Sequence, residues 1–238
     1  MPPLTPGDLS IPGPFSHELV HTRGTRLHCA TAGNPQAPLV LLLHDCLGGW
    51  FDYQFIIEPL SKSLHVGAMS ARGFAQSDKP PSGYSLRHAV GDVSGMIRAL
   101  GHGRATIVAS GTAARIATVL AANYPQRVRS LVLIDPVARS SAAKSAGALL
   151  ASRFPDMVAR MSLPKAETGE VQRTTELRVL SYQLPGTHAP RVKHARIAGA
   201  YLPTGWTTAL TQPTIYLDDF PQLLRPAECA EQISSSVI

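Results

Sequence analysis

Pro38 is followed by Leu39-Val40-Leu41-Leu42-Leu43, an apolar run with no polar alternation. A strand with one wet face alternates apolar and polar residues. A short continuous run instead suits a strand covered on both faces, as in a parallel sheet between helical layers. Residues 64–68, 105–108 and 130–134 read as further strands. Between them lie segments with helical spacing at 51–64, 84–100 and 113–124, the second carrying Leu86, Ala89, Val90, Val93, Ile97 and Leu100 along one side. This alternation predicts an α/β fold: an open, mostly parallel sheet flanked by helices and joined by right-handed crossovers.

Ahead of that core, residues 17–32 alternate around Thr22-Arg23-Gly24-Thr25, which predicts a β-hairpin. Residues 1–15, with prolines at 2, 3, 6, 12 and 14, read as an extended arm. From about residue 140 the pattern changes to helical segments broken by Pro and Gly. Gln212-Pro213 then leads into Thr214-Ile215-Tyr216-Leu217, which reads as another buried strand. The expected organisation is a first core part at 1–139, an inserted helical layer at 140–211, and an incomplete, truncated core part at 212–238.

A chain of 238 residues can bury one sizeable core, and 44% hydrophobic against 16% charged residues places it among globular proteins. The net charge of +6 comes from scattered Lys and Arg without a basic run or interleaved aromatics, so no nucleic-acid partner is expected. Cys29, Cys46 and Cys229 cannot all pair and lack metal spacing. A reducing, cytoplasmic setting is expected, with no metal and no cofactor. The first residues lack the pattern of a secretory leader, and no stretch approaches the ~18 apolar residues of a membrane span, so no membrane partner is expected.

Residues 105–117 combine an apolar strand, a run of small residues and a helical segment. That is the shape of a nucleophile elbow, where a reactive side chain is held on a tight strand-to-helix turn between small neighbours. The centre of this turn is Gly111, which has nothing to attack with.

Residues 17–139 resemble the N-terminal half of an α/β-hydrolase of the epoxide hydrolase and haloalkane dehalogenase type. His44-Asp45-Cys46-Leu47-Gly48 stands where that family has a His-Gly-x-x-Gly oxyanion turn. Arg72-Gly73-Phe74-Ala75-Gln76-Ser77, continued by Asp78-Lys79-Pro80, resembles its Arg-Gly-Phe/Tyr-Gly-x-Ser loop. The segment 127–135 follows the family pattern, and Tyr182-Gln183-Leu184-Pro185-Gly186 resembles part of the helical cap over such sites. The resemblance implies an α/β-hydrolase fold with a cap at 140–211, and a pocket that includes His44, Asp45 and Tyr182.

It also implies an Asp or Ser at the elbow, with a later acid and His completing a triad. Here Ala109-Ser110-Gly111-Thr112-Ala113-Ala114 replaces Gly-His-Asp-Trp-Gly-Gly, leaving the nucleophile position vacant at Gly111. Ser110 and Thr112 are the substitute candidates. Alternation along the strand would turn Ser110 away from the cleft, and Thr112 is expected to cap the following helix. Asp218 and Asp219 are the acid candidates, Asp135 reads as a turn residue, and His188 and His194 read as solvated cap residues. The backbone N–H groups of Cys46 and Thr112 would be the oxyanion donors. Asp45 replaces a glycine of the oxyanion turn and is expected to carry strain if its φ is positive.

The leading expectation is a catalytically impaired homologue with a capped pocket for a small apolar ligand. The alternatives are an active hydrolase of epoxide, ester or haloalkane substrates using a non-standard nucleophile, and an interaction scaffold that oligomerises through an exposed sheet edge.

Overall fold

The computed structural model describes residues 4–135 and 141–237. The first three residues of the Pro-rich arm, the junction 136–140 where the helical layer was expected to begin, and Ile238 lie outside them.

Strands β1 (Ser16–Thr22) and β2 (Thr25–Ala32) form the antiparallel hairpin. Both residues of its turn, Arg23 and Gly24, have positive φ (49° and 73°), the backbone twist that a two-residue hairpin prefers. The buried run Leu39–Leu43 is β3. A short 3-10 turn and α1 (Gln54–Ser61) lead to β4 (His65–Met69). Helix α2 (Leu86–Ala99) starts at Ser85, whose hydroxyl accepts the His88 N–H at 3.4 Å. β5 (Ala105–Ser110), α3 (Ala113–Asn123) and β6 (Val128–Ile134) follow.

The inserted layer comprises α4 (Ser141–Leu150), α5 (Pro155–Met161), α6 (Gly169–Gln183) and α7 (His188–Ala195). Then come β7 (Thr214–Leu217), α8 (Pro221–Leu224) and α9 (Pro226–Ser235).

The sheet order is β1-β2-β4-β3-β5-β6-β7, parallel from β4 through β7, with β2 antiparallel to both β1 and β4. Alternate β3 residues enter opposite cores. Leu39, Leu41 and Leu43 pack with Val93, Met96 and Ile116 beneath α2 and α3. Val40 and Leu42 pack with Ile56, Leu60 and Ile233 beneath α1 and α9. Two-sided burial of this kind is why the run does not alternate.

β7 departs from the expected buried strand. Among the described residues it pairs only with β6, and Ile215 and Tyr216 are 36% and 61% exposed. Its apolar residues face an edge rather than a second neighbour. No helix among the described residues is long and apolar enough to cross a membrane.

From β3 the chain steps to β4 on one side and returns through α2 to β5 on the other. The direction of winding therefore reverses between β3 and β5, and a crevice opens at their C-terminal ends. The oxyanion-turn segment after β3 and the elbow after β5 meet in that crevice.

Candidate active-site cleft

The elbow is built as its sequence suggests. Gly111 sits between β5 and α3 with φ +53°, and its N–H donates to Ile134 O at 3.0 Å. Glycine reaches this left-handed region without the Cβ penalty other residues incur. The space a side chain would need is already taken: a Cβ on Gly111 would stand 2.5 Å from both Cγ and Oδ1 of Asp45.

Asp45 Oδ1 accepts hydrogen bonds from the Thr112 N–H and the Thr112 hydroxyl, each at 2.8 Å. The Cys46 N–H donates to Thr112 Oγ1 at 3.0 Å. Both N–H groups expected to hold an oxyanion are therefore engaged by the chain itself. The two bonds accepted by the Asp45 carboxylate are charge-assisted, and such bonds contribute roughly 1.5–3 kcal/mol each. The carboxylate also stands at the N-terminus of α3, where the helix dipole favours negative charge.

Two expectations about these residues are corrected here. Thr112 occupies the N-cap position but its side chain makes no cap hydrogen bond, because it is turned toward Asp45 and Cys46. Asp45 carries no positive-φ strain: among the described residues positive φ outside glycine falls at Arg23, Ala75, Asp135, Asp219 and Phe220.

Ser110 lies against the Tyr53 phenol, on the α1 side of the sheet. His44 is held as scaffold, its Nδ1–H donating to Asp45 O at 2.7 Å and its Nε2 accepting the Ala71 N–H at 3.0 Å. Burial lowers the His44 pKa, which fits the neutral tautomer these two bonds require.

Asp218 and Asp219 are exposed and make no side-chain bond to a histidine among the described residues. Asp135 instead accepts the N–H groups of Asp219 and Phe220, both at 3.1 Å, and so closes the turn after β7. Burial, opposed by these two bonds, raises its pKa.

The segment 38–223 matches the family model for the alpha/beta hydrolase fold. The chain belongs to the α/β-hydrolase family. It is 26% identical to mouse Epoxide hydrolase 4 over 136 residues, which is 56% of this chain and 38% of that protein. Over 151 residues it is 31% identical to the 2-(acetamidomethylene)succinate hydrolase of Mesorhizobium japonicum, covering 56% of this chain and 54% of the other. The matched part thus spans about half or less of these relatives. Among solved structures, an epoxide hydrolase from Vigna radiata superposes with a TM-score of 0.74 at 18% identity, covering 93% of this chain and 97% of that one. At that identity the likeness speaks to the fold.

In this α/β-hydrolase the inserted helices are pinned onto the segment after β3 by Tyr182, expected as a pocket residue, and by Arg178, Asp52 and Ser162, which sequence reasoning did not single out. Arg178 of α6 pairs with Asp52 through Nε and Nη2, at 3.1 and 2.8 Å, both residues being buried. Its Nη1 donates to Ser162 O and Oγ. Tyr182, one turn on, donates its hydroxyl to Leu47 O at 2.6 Å.

The expectation for His194 is also corrected. It is buried, stacked 6.2 Å from His44 and edge-on to Phe74, whereas His188 is exposed as expected. Burial, with His44 beside it, lowers the His194 pKa to about 3. Nothing in the segment 188–195 announces this: His188 and His194 sit on the same short helix, and only docking of the cap separates an exposed ring from a buried one.

A cavity of about 30 Å³ remains between cap and sheet, bordered by Leu43, Met69, Val93, Ile116, His44 and His194 among others. That is room for about two waters, far below the ~300 Å³ of a typical ligand pocket.

Proposed function

We propose that this α/β-hydrolase-fold protein acts without hydrolytic chemistry, as a homologue that holds a small molecule beneath its cap. The observation that carries the reading is the Asp45 carboxylate in the space of the missing elbow side chain, bonded to the Thr112 N–H. A developing oxyanion there would meet a fixed negative charge rather than free donors. Ser110 is turned to the far side of the sheet, and the Thr112 hydroxyl already bridges Asp45 and Cys46. Neither hydroxyl has a histidine partner among the described residues. The lining of the small cavity, mainly apolar but including the Arg72–Asp92 ion pair, supports binding of a compact ligand, and anything larger requires the cap to yield.

The reading is tested by turnover and by a paired substitution. Purified protein is expected to hydrolyse p-nitrophenyl acetate and styrene oxide no faster than buffer. Turnover abolished by Ser110→Ala or Thr112→Ala would overturn the proposal. Gly111→Ser should destabilise the fold by about 2 kcal/mol or more, through the strained φ and the contact with Asp45. Against an Asp45→Gly background the cost of Gly111→Ser should be smaller, by the part owed to the Asp45 contact, with the φ strain remaining. An equal cost of Gly111→Ser with and without Asp45 would show that Asp45 is not what excludes a side chain at 111.

A further inference from the structure

Arg191 lies 1% exposed at the seam between cap and core. Its guanidinium is sandwiched between aromatic rings, 4.5 Å from the Tyr182 centroid and 5.4 Å from that of Phe74. Nη2 donates to Ser181 O at 3.3 Å and makes only a marginal 3.5 Å contact with Ser181 Oγ. Among the described residues the buried Nε and Nη1 have no hydrogen-bond partner, and no carboxylate pairs with this side chain. A buried cation whose N–H groups go unanswered is costly, and folded chains ordinarily supply an anion or several acceptors. Three residues further along the same helix, Nδ1 of buried His194 is likewise without a partner. Positions three apart share a helix face, and both side chains meet the same ring, with His194 5.3 Å from Phe74.

We propose that Arg191 and His194 form the head of a buried subsite for a short-chain carboxylate. The proposal rests on the reading of the cleft as a ligand-binding site, and it names the ligand's chemistry. The guanidinium offers the charged N–H donors that a carboxylate's oxygens accept. With its proton on Nδ1, the neutral imidazole donates a further bond. The ligand's apolar body lies in the cavity bordered by His194, Leu43, Met69, Val93 and Ile116; Arg191, one turn back on α7, does not border that cavity, so the carboxylate head reaches it only by displacing α7 locally. Burial brings the Arg191 pKa down only to about 10, so the cation persists at neutral pH. The cavity has room for about two heavy atoms, enough for the carbon body but not the head, which favours acids of two to three carbons and requires the cap to give.

The test compares sodium propanoate with propanamide and sodium chloride at matched ionic strength, by thermal shift and by NMR of the arginine Nε–H and histidine ring signals. Propanoate is expected to raise the Tm saturably, to move the Arg191 Nε–H resonance, and to raise the His194 pKa, because a bound carboxylate favours imidazolium. Propanamide and chloride should do none of these. Arg191→Gln should weaken propanoate about tenfold to a hundredfold, the worth of a charged hydrogen bond. The proposal is overturned if propanamide binds as well as propanoate, if chloride is equally effective, or if Arg191→Gln leaves the affinity unchanged. Should that variant not fold, the propanoate–propanamide comparison on the unmodified chain decides alone. Ester or epoxide turnover would sink the non-hydrolytic reading and leave this subsite standing. Absence of propanoate binding would remove the subsite and leave that reading.

Discussion

Two arginines on the underside of the cap are both buried, yet their environments are opposite. Arg178 has a bidentate carboxylate partner in Asp52 and two further acceptors at Ser162. Burial opposes its charge, but Asp52 more than compensates and its pKa is raised. Arg191 has two aromatic faces and one backbone carbonyl, and burial lowers its pKa. The first is a structural cation whose demands are met within the chain. The second is held in a place where they are not. Unsatisfied buried polar groups mark either strain or a site awaiting an occupant.

The largest test breaks the symmetry between them. Arg178→Met strands Asp52 as a buried, unpaired carboxylate and should cost about 3–5 kcal/mol of unfolding free energy in urea titrations. Adding Asp52→Leu should return most of that loss, since an ion pair replaced by apolar groups is often near neutral. Arg191→Met removes a buried charge with no ionic partner, and in anion-free buffer should change stability by no more than about 1 kcal/mol, with a gain as admissible as a loss. Equal large losses at both positions would erase the distinction drawn here.

The unmet side of the comparison can be sharpened by acid. His194 is held at a pKa of about 3, and His28 at about 3, both chiefly by burial and each with a neighbouring histidine adding to it. In the unfolded chain each titrates near ~6.5. Below that value the unfolded state takes up protons that the folded state refuses. Their contribution to stability is therefore fully present above ~6.5 and is lost as pH falls toward about 3. Each such histidine adds a slope of ~1.4 kcal/mol per pH unit in that window. His194→Gln should flatten the dependence between pH 6 and 4 by about one such increment, measured as Cm against pH. An unchanged slope would show that the ring is protonated in the fold.

The core was legible because two-sided burial leaves a local mark: β3 is an uninterrupted apolar run, and β4, β5 and β6 are mainly apolar without strict alternation. β7 carries the same mark without the same neighbours, since edge position depends on what pairs beside a strand and not on the strand itself. At the site, Gly111 and Asp45 each stood out as a departure from the family pattern. That they are one arrangement could not be read from spacing, because the contact spans β3 and β5 across the crevice. A side chain fills the place another one has vacated, so the two departures are complementary in space. Arg178 and Arg191 were invisible for a different reason. Both sit among polar neighbours on cap helices, and only docking of the cap decides which one finds a carboxylate.

The smallest effect concerns how tightly that docking is held. Tyr182 stacks beneath the Arg191 guanidinium and fastens its hydroxyl to Leu47 O at 2.6 Å, tying the cap to the turn that carries Asp45 and Cys46. Tyr182→Phe keeps the ring and its stacking but deletes the tie, leaving Leu47 O to find water or go unpaired. The expected cost is about 1 kcal/mol, seen as a Tm drop of a few degrees. If the tie limits cap movement, propanoate should also bind faster to the phenylalanine variant, while its bound-state contacts at Arg191 stay the same. Stopped-flow association rates unchanged beside a lowered Tm would separate the two roles, leaving Tyr182 as a packing residue whose tie does not limit entry.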